Sequence, residues 1–266
     1  MSGATTAPSV GFVGAGRVAR ILLGGWARAG VLPTDVRVVD PDPAAVERLL
    51  AAEPTARAAD LAEVAAADVV LVGVHPPAMS QAMADLAPVL GPDTVVVSLA
   101  PVARIATLAA ALGDRQLARV IPNAPSIVGA GFNPVAFAPT ATPGTRALVL
   151  GLLAPLGEAP EVADEDLEAY AVLTAMGPTY LWKQLYALLD VADGAGLAPD
   201  AAAHALAAMV TGALRTMADA GLAADAVQDL IPAKPLAEPV ATMSAAYGEV
   251  LPALHARLSG RVAASA

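Results

Sequence analysis

Six short runs of β-branched and other apolar residues punctuate the first half of the sequence, at 10–13, 36–39, 69–74, 94–99, 119–121 and 135–138. None follows residue 164. Between the runs lie stretches with helical spacing or high alanine content, near 16–30, 43–52, 60–67, 77–90 and 101–112. Alternation of this kind predicts an α/β fold, a mostly parallel, doubly wound sheet with helices on both faces. One more helix is expected at 142–156, and Pro160 marks a boundary. Beyond 164 the pattern turns wholly helical, over 164–195, 199–220 and 222–230, then a proline-broken loop at 231–239 and a last helix at 240–258. The expected organisation is a disordered tail at 1–8, an N-terminal α/β domain at 9–160 and an all-helical C-terminal domain at 161–266.

The first apolar run breaks into Gly14-Ala15-Gly16 and passes into a helical stretch opened by Arg17 and Val18. A strand, a glycine turn and a helix in that order form the dinucleotide-binding unit of a Rossmann domain. Gly14 permits the tight turn, Gly16 lets backbone N–H groups approach a pyrophosphate, and the small Ala19 lets helix and strand pack closely. The second run ends at Asp40, 24 residues after Gly16. An acidic side chain there accepts hydrogen bonds from the adenosine ribose and repels a 2′-phosphate. Pro41-Asp42-Pro43 follows, with no cation immediately beyond the strand. These residues favour NAD(H) over NADP(H), and a redox enzyme.

Composition narrows the class. Hydrophobic residues make up 56% of the chain and mean hydropathy is +0.61, but much of this is alanine. No stretch of about 18 apolar residues escapes interruption by Arg, Asp, Gly or Pro, so no membrane span is expected. The start, MSGATTAPS, lacks the basic region and apolar core of a signal peptide. Without cysteine there are no disulfides and no thiolate nucleophiles or metal ligands. No His, Asp and Glu cluster has metal-ligand spacing, so no metal is expected. A net charge of −10 argues against nucleic acid or an anionic membrane as partner. The expectation is a cytoplasmic enzyme acting on a small molecule.

Three further segments share one pattern with the glycine turn: ADVVLVGVHP at 68–77, VIPNAPSIVGAG at 120–131 and TAMGPTY at 174–180. Together they resemble the pyrroline-5-carboxylate reductase family, over nearly the whole chain. The resemblance implies reduction of a cyclic imine carboxylate by hydride from a nicotinamide cofactor. It also implies a homodimer whose C-terminal helices interleave, with the active site at the interface. By the same resemblance Val74, His75, Pro76, Ala100 and Asn123 line the cofactor cleft beside Gly14, Ala15, Gly16, Arg17, Val18 and Asp40. These positions fall at the carboxyl ends of expected parallel strands, where open α/β sheets bind ligands.

The chain also departs from the family. His75 stands where the family usually has a Lys before proline, and Thr174-Ala175-Met176 replaces a serine- and glycine-containing stretch. Where the family carries a Ser-Pro-Gly-Gly loop ending in Thr, which holds the substrate carboxylate, this chain has Asp229-Leu230-Ile231-Pro232-Ala233-Lys234-Pro235-Leu236. Its only two lysines, Lys183 and Lys234, fall in segments that the resemblance assigns to the substrate site, with Met176, Gly177 and Thr179. Helical spacing puts Thr179, Lys183, Tyr186 and Asp190 on one face. Lys183, Thr179 and His75 are the candidate catalytic groups, and Lys234 the candidate anchor for an anionic substrate. Each lysine has an ordinary alternative, Lys183 as a solvated helix residue and Lys234 in an ion pair with Glu238.

Three functions fit. The first is a reductase of this type acting on a small imine or carbonyl compound other than pyrroline-5-carboxylate. The second is a true pyrroline-5-carboxylate reductase that holds the carboxylate through Lys234. The third is a cofactor-binding regulatory dimer without catalysis.

Overall fold

A computed structural model describes residues 7–260, so of the expected tail at 1–8 all but Ala7 and Pro8 lie outside the described residues. The chain opens with β1 (Val10–Val13), α1 (Arg17–Ala29), β2 (Val36–Val39), α2 (Pro43–Ala52), β3 (Ala56–Ala58), α3 (Leu61–Ala65) and β4 (Val69–Val72). It continues through α4 (Met79–Leu86), β5 (Val95–Ser98), α5 (Ile105–Leu112), β6 (Leu117–Val120), β7 (Gly131–Phe132), β8 (Val135–Phe137), α6 (Pro143–Leu153) and β9 (Gly157–Glu158). The sheet order is β3-β2-β1-β4-β5-β6-β8, parallel throughout except for the last pairing of β6 with β8. This is the Rossmann arrangement that the alternation predicts.

Apolar runs become strands here because both sheet faces are covered. On one side Phe12, Leu71, Val97 and Val120 pack against Leu22, Leu23 and Trp26 of α1 and Val149 and Leu153 of α6. On the other, Val70, Val72 and Val96 meet Met83 and Leu86 of α4 and Leu108 of α5. Trp26 is almost wholly buried, and its indole N–H donates to the Leu152 carbonyl at 2.7 Å. That bond satisfies a carbonyl in the last turn of α6, which has no partner within the helix. Several helices are started by their own side chains. Thr142 caps α6 through Thr145 N, Asp42 caps α2 through Ala44 N, and Asp60 forms a capping box with Glu63 on α3.

Three strands lie outside the six expected runs. β3 is a three-residue edge strand beside β2, and β7 pairs with β9 in a separate two-stranded ribbon. The helix expected across 164–195 is broken into parts. A 3-10 turn at Asp164–Asp166 leads into α7 (Leu167–Tyr170), then a π-helical stretch at Ala171–Ala175, then α8 (Gly177–Gly194). Pro178 explains the break. It has no N–H to offer the Thr174 carbonyl four residues earlier, so a regular α-helix cannot run through this point.

The chain divides into two compact units, one running through Met176 and resuming at His255, the other spanning Gly177–Leu254. The second unit is helical, built from α8, α9 (Pro199–Asp219), α10 (Ala224–Asp229) and α11 (Ala237–Leu258), the last of which runs into the first unit. Within it, the Tyr180 ring meets Tyr247 with centroids 5.9 Å apart. Ala202 is the one buried residue among those described in this unit. Among the described residues, no helix is long and apolar enough to cross a membrane.

Candidate functional site

The glycine turn is locked from three sides. Gly14 takes φ +110°, and a Cβ there would lie 2.8 Å from the Gly73 carbonyl oxygen at the end of β4. Its N–H donates to the Val39 carbonyl at 2.8 Å, which ties the turn to β2. Ala15 N–H then donates to Asp40 Oδ2 at 2.8 Å, while Asp40 Oδ1 accepts from Asp42 N–H at 2.8 Å. Asp40 therefore braces the turn as well as closing β2. Gly16 is the N-cap of α1 in extended backbone with no side chain to satisfy the first amides, and a Cβ there would meet nothing within 4 Å. The first turn of α1 carries no acidic residue. This uncapped helix end faces open space and suits an anion.

That open space is a cavity of about 550 Å³, within the size range of small-molecule sites. It lies over the carboxyl ends of β1, β2, β4 and β5, and brings together Ala15, Gly16, Arg17, Val18, Asp40, Val74, His75, Pro76 and Ala100. Gly14 lies behind the wall, buried. Asn123 is also buried and is not part of the lining. Its Oδ1 accepts from Phe132 N–H at 3.1 Å, and its Nδ2 donates to the Thr174 carbonyl at 3.2 Å. This is the carbonyl four residues before Pro178, which has no N–H to offer it.

The cavity also holds residues that the motif did not indicate. Arg20, one helical turn beyond Arg17 on α1, lines it, as do Arg48 of α2 and Pro101. Arg48 reaches Asp42 at 3.3 Å, with both side chains more than half exposed. The i, i+3 spacing of Arg17 and Arg20 could have signalled the first of these. Arg48 comes from the far end of a separate turn and helix, and nothing local marks it. His75 sits on the rim, exposed, where Pro76 and Pro77 set it at the start of a 3-10 turn.

In the second unit, Thr179, Lys183, Tyr186 and Asp190 occupy successive turns of α8, and all four are exposed. Tyr180 is partly buried, which together with neighbouring Tyr247 pushes its phenol above the usual range. Lys234 lies in the loop between α10 and α11, exposed, and among the described residues no ion pair joins it to Glu238. Met176 and Gly177 are half-buried at the junction with the π-helical stretch.

A family described as NADP oxidoreductase, coenzyme F420-dependent, matches residues 9–101. The pyrroline-5-carboxylate reductase of Escherichia coli (strain K12) is 30% identical over 228 residues, covering 84% of each protein. The chain belongs to the pyrroline-5-carboxylate reductase family. It is thus an NAD(P)-dependent oxidoreductase of that type. The Pisum sativum pyrroline-5-carboxylate reductase is 28% identical over 206 residues, covering 77% of this chain and 76% of that one. Among solved structures, the Plasmodium falciparum pyrroline carboxylate reductase with NADP bound has a TM-score of 0.76 at 16% identity. That match covers 96% of this chain and 97% of the other, and at this identity it speaks to the fold.

Proposed function

We propose that this member of the family reduces the C=N bond of a small imine, or a carbonyl of similar size, with NADH as hydride donor. The observation that carries the reading is the convergence of the uncapped α1 N-terminus, Asp40 and the His75 rim on one cavity at the strand ends. A bound reduced nicotinamide supplies the hydride. The amides of the Gly16–Val18 segment hold the pyrophosphate, and Asp40 presents a carboxylate to the ribose hydroxyls. Lys183, with Thr179 one turn away, delivers a proton to the nitrogen or oxygen that gains the electron pair, and His75 is the alternative donor. Met176 and Gly177 bound the substrate pocket, and Lys234 holds an anionic group on the substrate.

The preference for NADH rests on Asp40, whose carboxylate is fixed at both oxygens. Arg17, Arg20 and Arg48 line the same cavity and would attract a 2′-phosphate, so Asp40 is the group that opposes it. Titration with both dinucleotides decides the matter, and tighter binding of NADPH would overturn this part of the reading. Replacing Asp40 by Ser is expected to move the ratio towards NADPH.

The second unit points to a homodimer. It leaves Leu181, Trp182, Leu214, Met217, Val240 and Met243 exposed on helices that bury almost nothing of their own. Sedimentation showing a monomer at micromolar concentration would refute the dimer.

A second substrate reading is favoured by the 30% identity to the Escherichia coli enzyme, namely that the imine is pyrroline-5-carboxylate itself. The loop at 229–236 argues the other way, since Pro235 has no N–H and the loop has no hydroxyl to bind a carboxylate. Steady-state turnover separates the two. A kcat/KM of about 10⁴ M⁻¹s⁻¹ or more on pyrroline-5-carboxylate would establish it as substrate.

A further inference from the structure

Arg119 is fully buried in a strand of otherwise apolar residues, and the proposed reaction does not use it. A guanidinium taken out of water is costly unless its donors are met, and here both terminal nitrogens are met while Nε is buried without a hydrogen-bond partner. Here Nη1 donates to Asp164 Oδ1 at 2.6 Å and to the Asp164 carbonyl at 3.2 Å. Nη2 donates to Glu168 Oε1 at 2.7 Å and to the Pro101 carbonyl at 2.5 Å. Glu168 is itself fully buried, and its Oε2 has no hydrogen-bond partner, with Arg104 Nη2 3.8 Å away.

Pro101 forms part of the cavity wall. Its carbonyl is held from behind by Arg119, and the segment that follows is held by the same cluster, because Asp164 Oδ2 accepts from Ile105 N–H at 3.2 Å. Pro101 therefore lines the cavity while its carbonyl is tied to a buried ion network. Stability alone does not require this arrangement, since apolar side chains of similar volume often serve a buried ion pair's place equally well. What they cannot do is hold a backbone carbonyl in a set direction.

We propose that Arg119, oriented by Glu168 and Asp164, is a positioning residue for the dinucleotide, fixing Pro101 in the wall against which the cofactor lies. The inference rests on the reading of the cavity as the dinucleotide site.

The test compares Arg119→Met/Glu168→Met, Arg119→Lys and Glu168→Gln with the wild-type chain. Each is measured by thermal melting and by fluorescence titration with NADH and NADPH, well below its own melting midpoint. The double variant removes both fully buried charges together and leaves Asp164 and Arg104, which reach solvent, without these partners, and it releases Pro101. Arg119→Lys keeps the charge and loses the fork, offering the three donors of one nitrogen where the guanidinium makes four bonds through two. Both are expected to melt cooperatively and to bind the preferred dinucleotide roughly tenfold or more weakly, the scale of a lost hydrogen-bond constraint. Glu168→Gln keeps an acceptor for Nη2 and is expected to bind within about threefold of wild type. If Arg119→Lys, or the double variant where it folds, binds as tightly as wild type, the cluster is structural only and the inference fails. Should the wild-type chain bind neither dinucleotide, the reading of the cavity fails first and takes the inference with it.

Discussion

Gly14→Ala and Gly16→Ala remove one hydrogen each from the same turn, yet the structure assigns them opposite consequences. At position 14 the new methyl would sit 2.8 Å from the Gly73 carbonyl oxygen and 3.0 Å from its carbon, in a backbone at φ +110°. Left-handed strain costs roughly 1–2 kcal/mol and overpacking against fixed backbone about 1–3 kcal/mol. The sum, about 2–5 kcal/mol, corresponds to a fall in Tm of roughly 5–20 °C for a chain of this size. At position 16, φ is −77° and the methyl meets nothing within 4 Å. Folding there should change by no more than about 0.5 kcal/mol. The methyl would instead stand where a pyrophosphate must approach the α1 amides. Losing one charge-assisted hydrogen bond, about 1.5–3 kcal/mol, weakens binding by roughly 10- to 100-fold. Circular dichroism melting and NADH titration by fluorescence separate the two effects. An unshifted Tm for Gly14→Ala, or wild-type NADH affinity for Gly16→Ala, would refute the reasoning.

Other expectations are local. Asp68 accepts from both the hydroxyl and the N–H of Ser9 at 2.7 Å, which holds its carboxyl below the usual range. A depressed folded-state pKa gives stability that is present above the unfolded value of about 3.9 and lost as pH falls through the folded one. Asp68→Asn should therefore destabilise by about 1 kcal/mol or less at pH 7, given its exposure, and the gap from wild type in urea melts should close in strong acid. An unchanged gap at pH 2 would count against it. Trp26→Phe leaves the Leu152 carbonyl without its donor and is expected to cost about 1–3 kcal/mol by chemical denaturation, with no change in NADH affinity. Thr142→Ala removes the cap on Thr145 N–H and should cost about 1 kcal/mol.

Much of the Rossmann sheet was legible because its strands are buried on both faces and so read as unbroken apolar runs. Two-residue strands such as β7 and β9 have no periodicity to read, and β3, with Arg57 in the middle of three residues, resembles a turn. The break at 171–176 was marked in the sequence by Pro178, but its π-helical form, with Met176 N–H on the Ala171 carbonyl, was not. Asp40 could be picked out by spacing, whereas its bond to Ala15 N–H depends on two segments meeting across the sheet. Arg119 was the least visible. Its partners Asp164 and Glu168 lie 45 and 49 residues further on, and nothing in LARV marks the arginine as buried.

The two outer strands of the sheet bear on how copies of the chain can meet. On one side β3 is three residues long and holds Arg57, paired with Glu63, at its centre. On the other, the free edge of β8 is occupied by its own chain, with Val135 N–H bonded to the Pro160 carbonyl and Val162 N–H to the Val135 carbonyl. A valine-rich sheet with open sides would recruit strands from neighbouring molecules and grow into fibrils. Here one edge is short and charged and the other is covered at Val135, and a sheet continuing from one copy into the next is disfavoured. In the proposed dimer, contact between copies is left to side chains on helices.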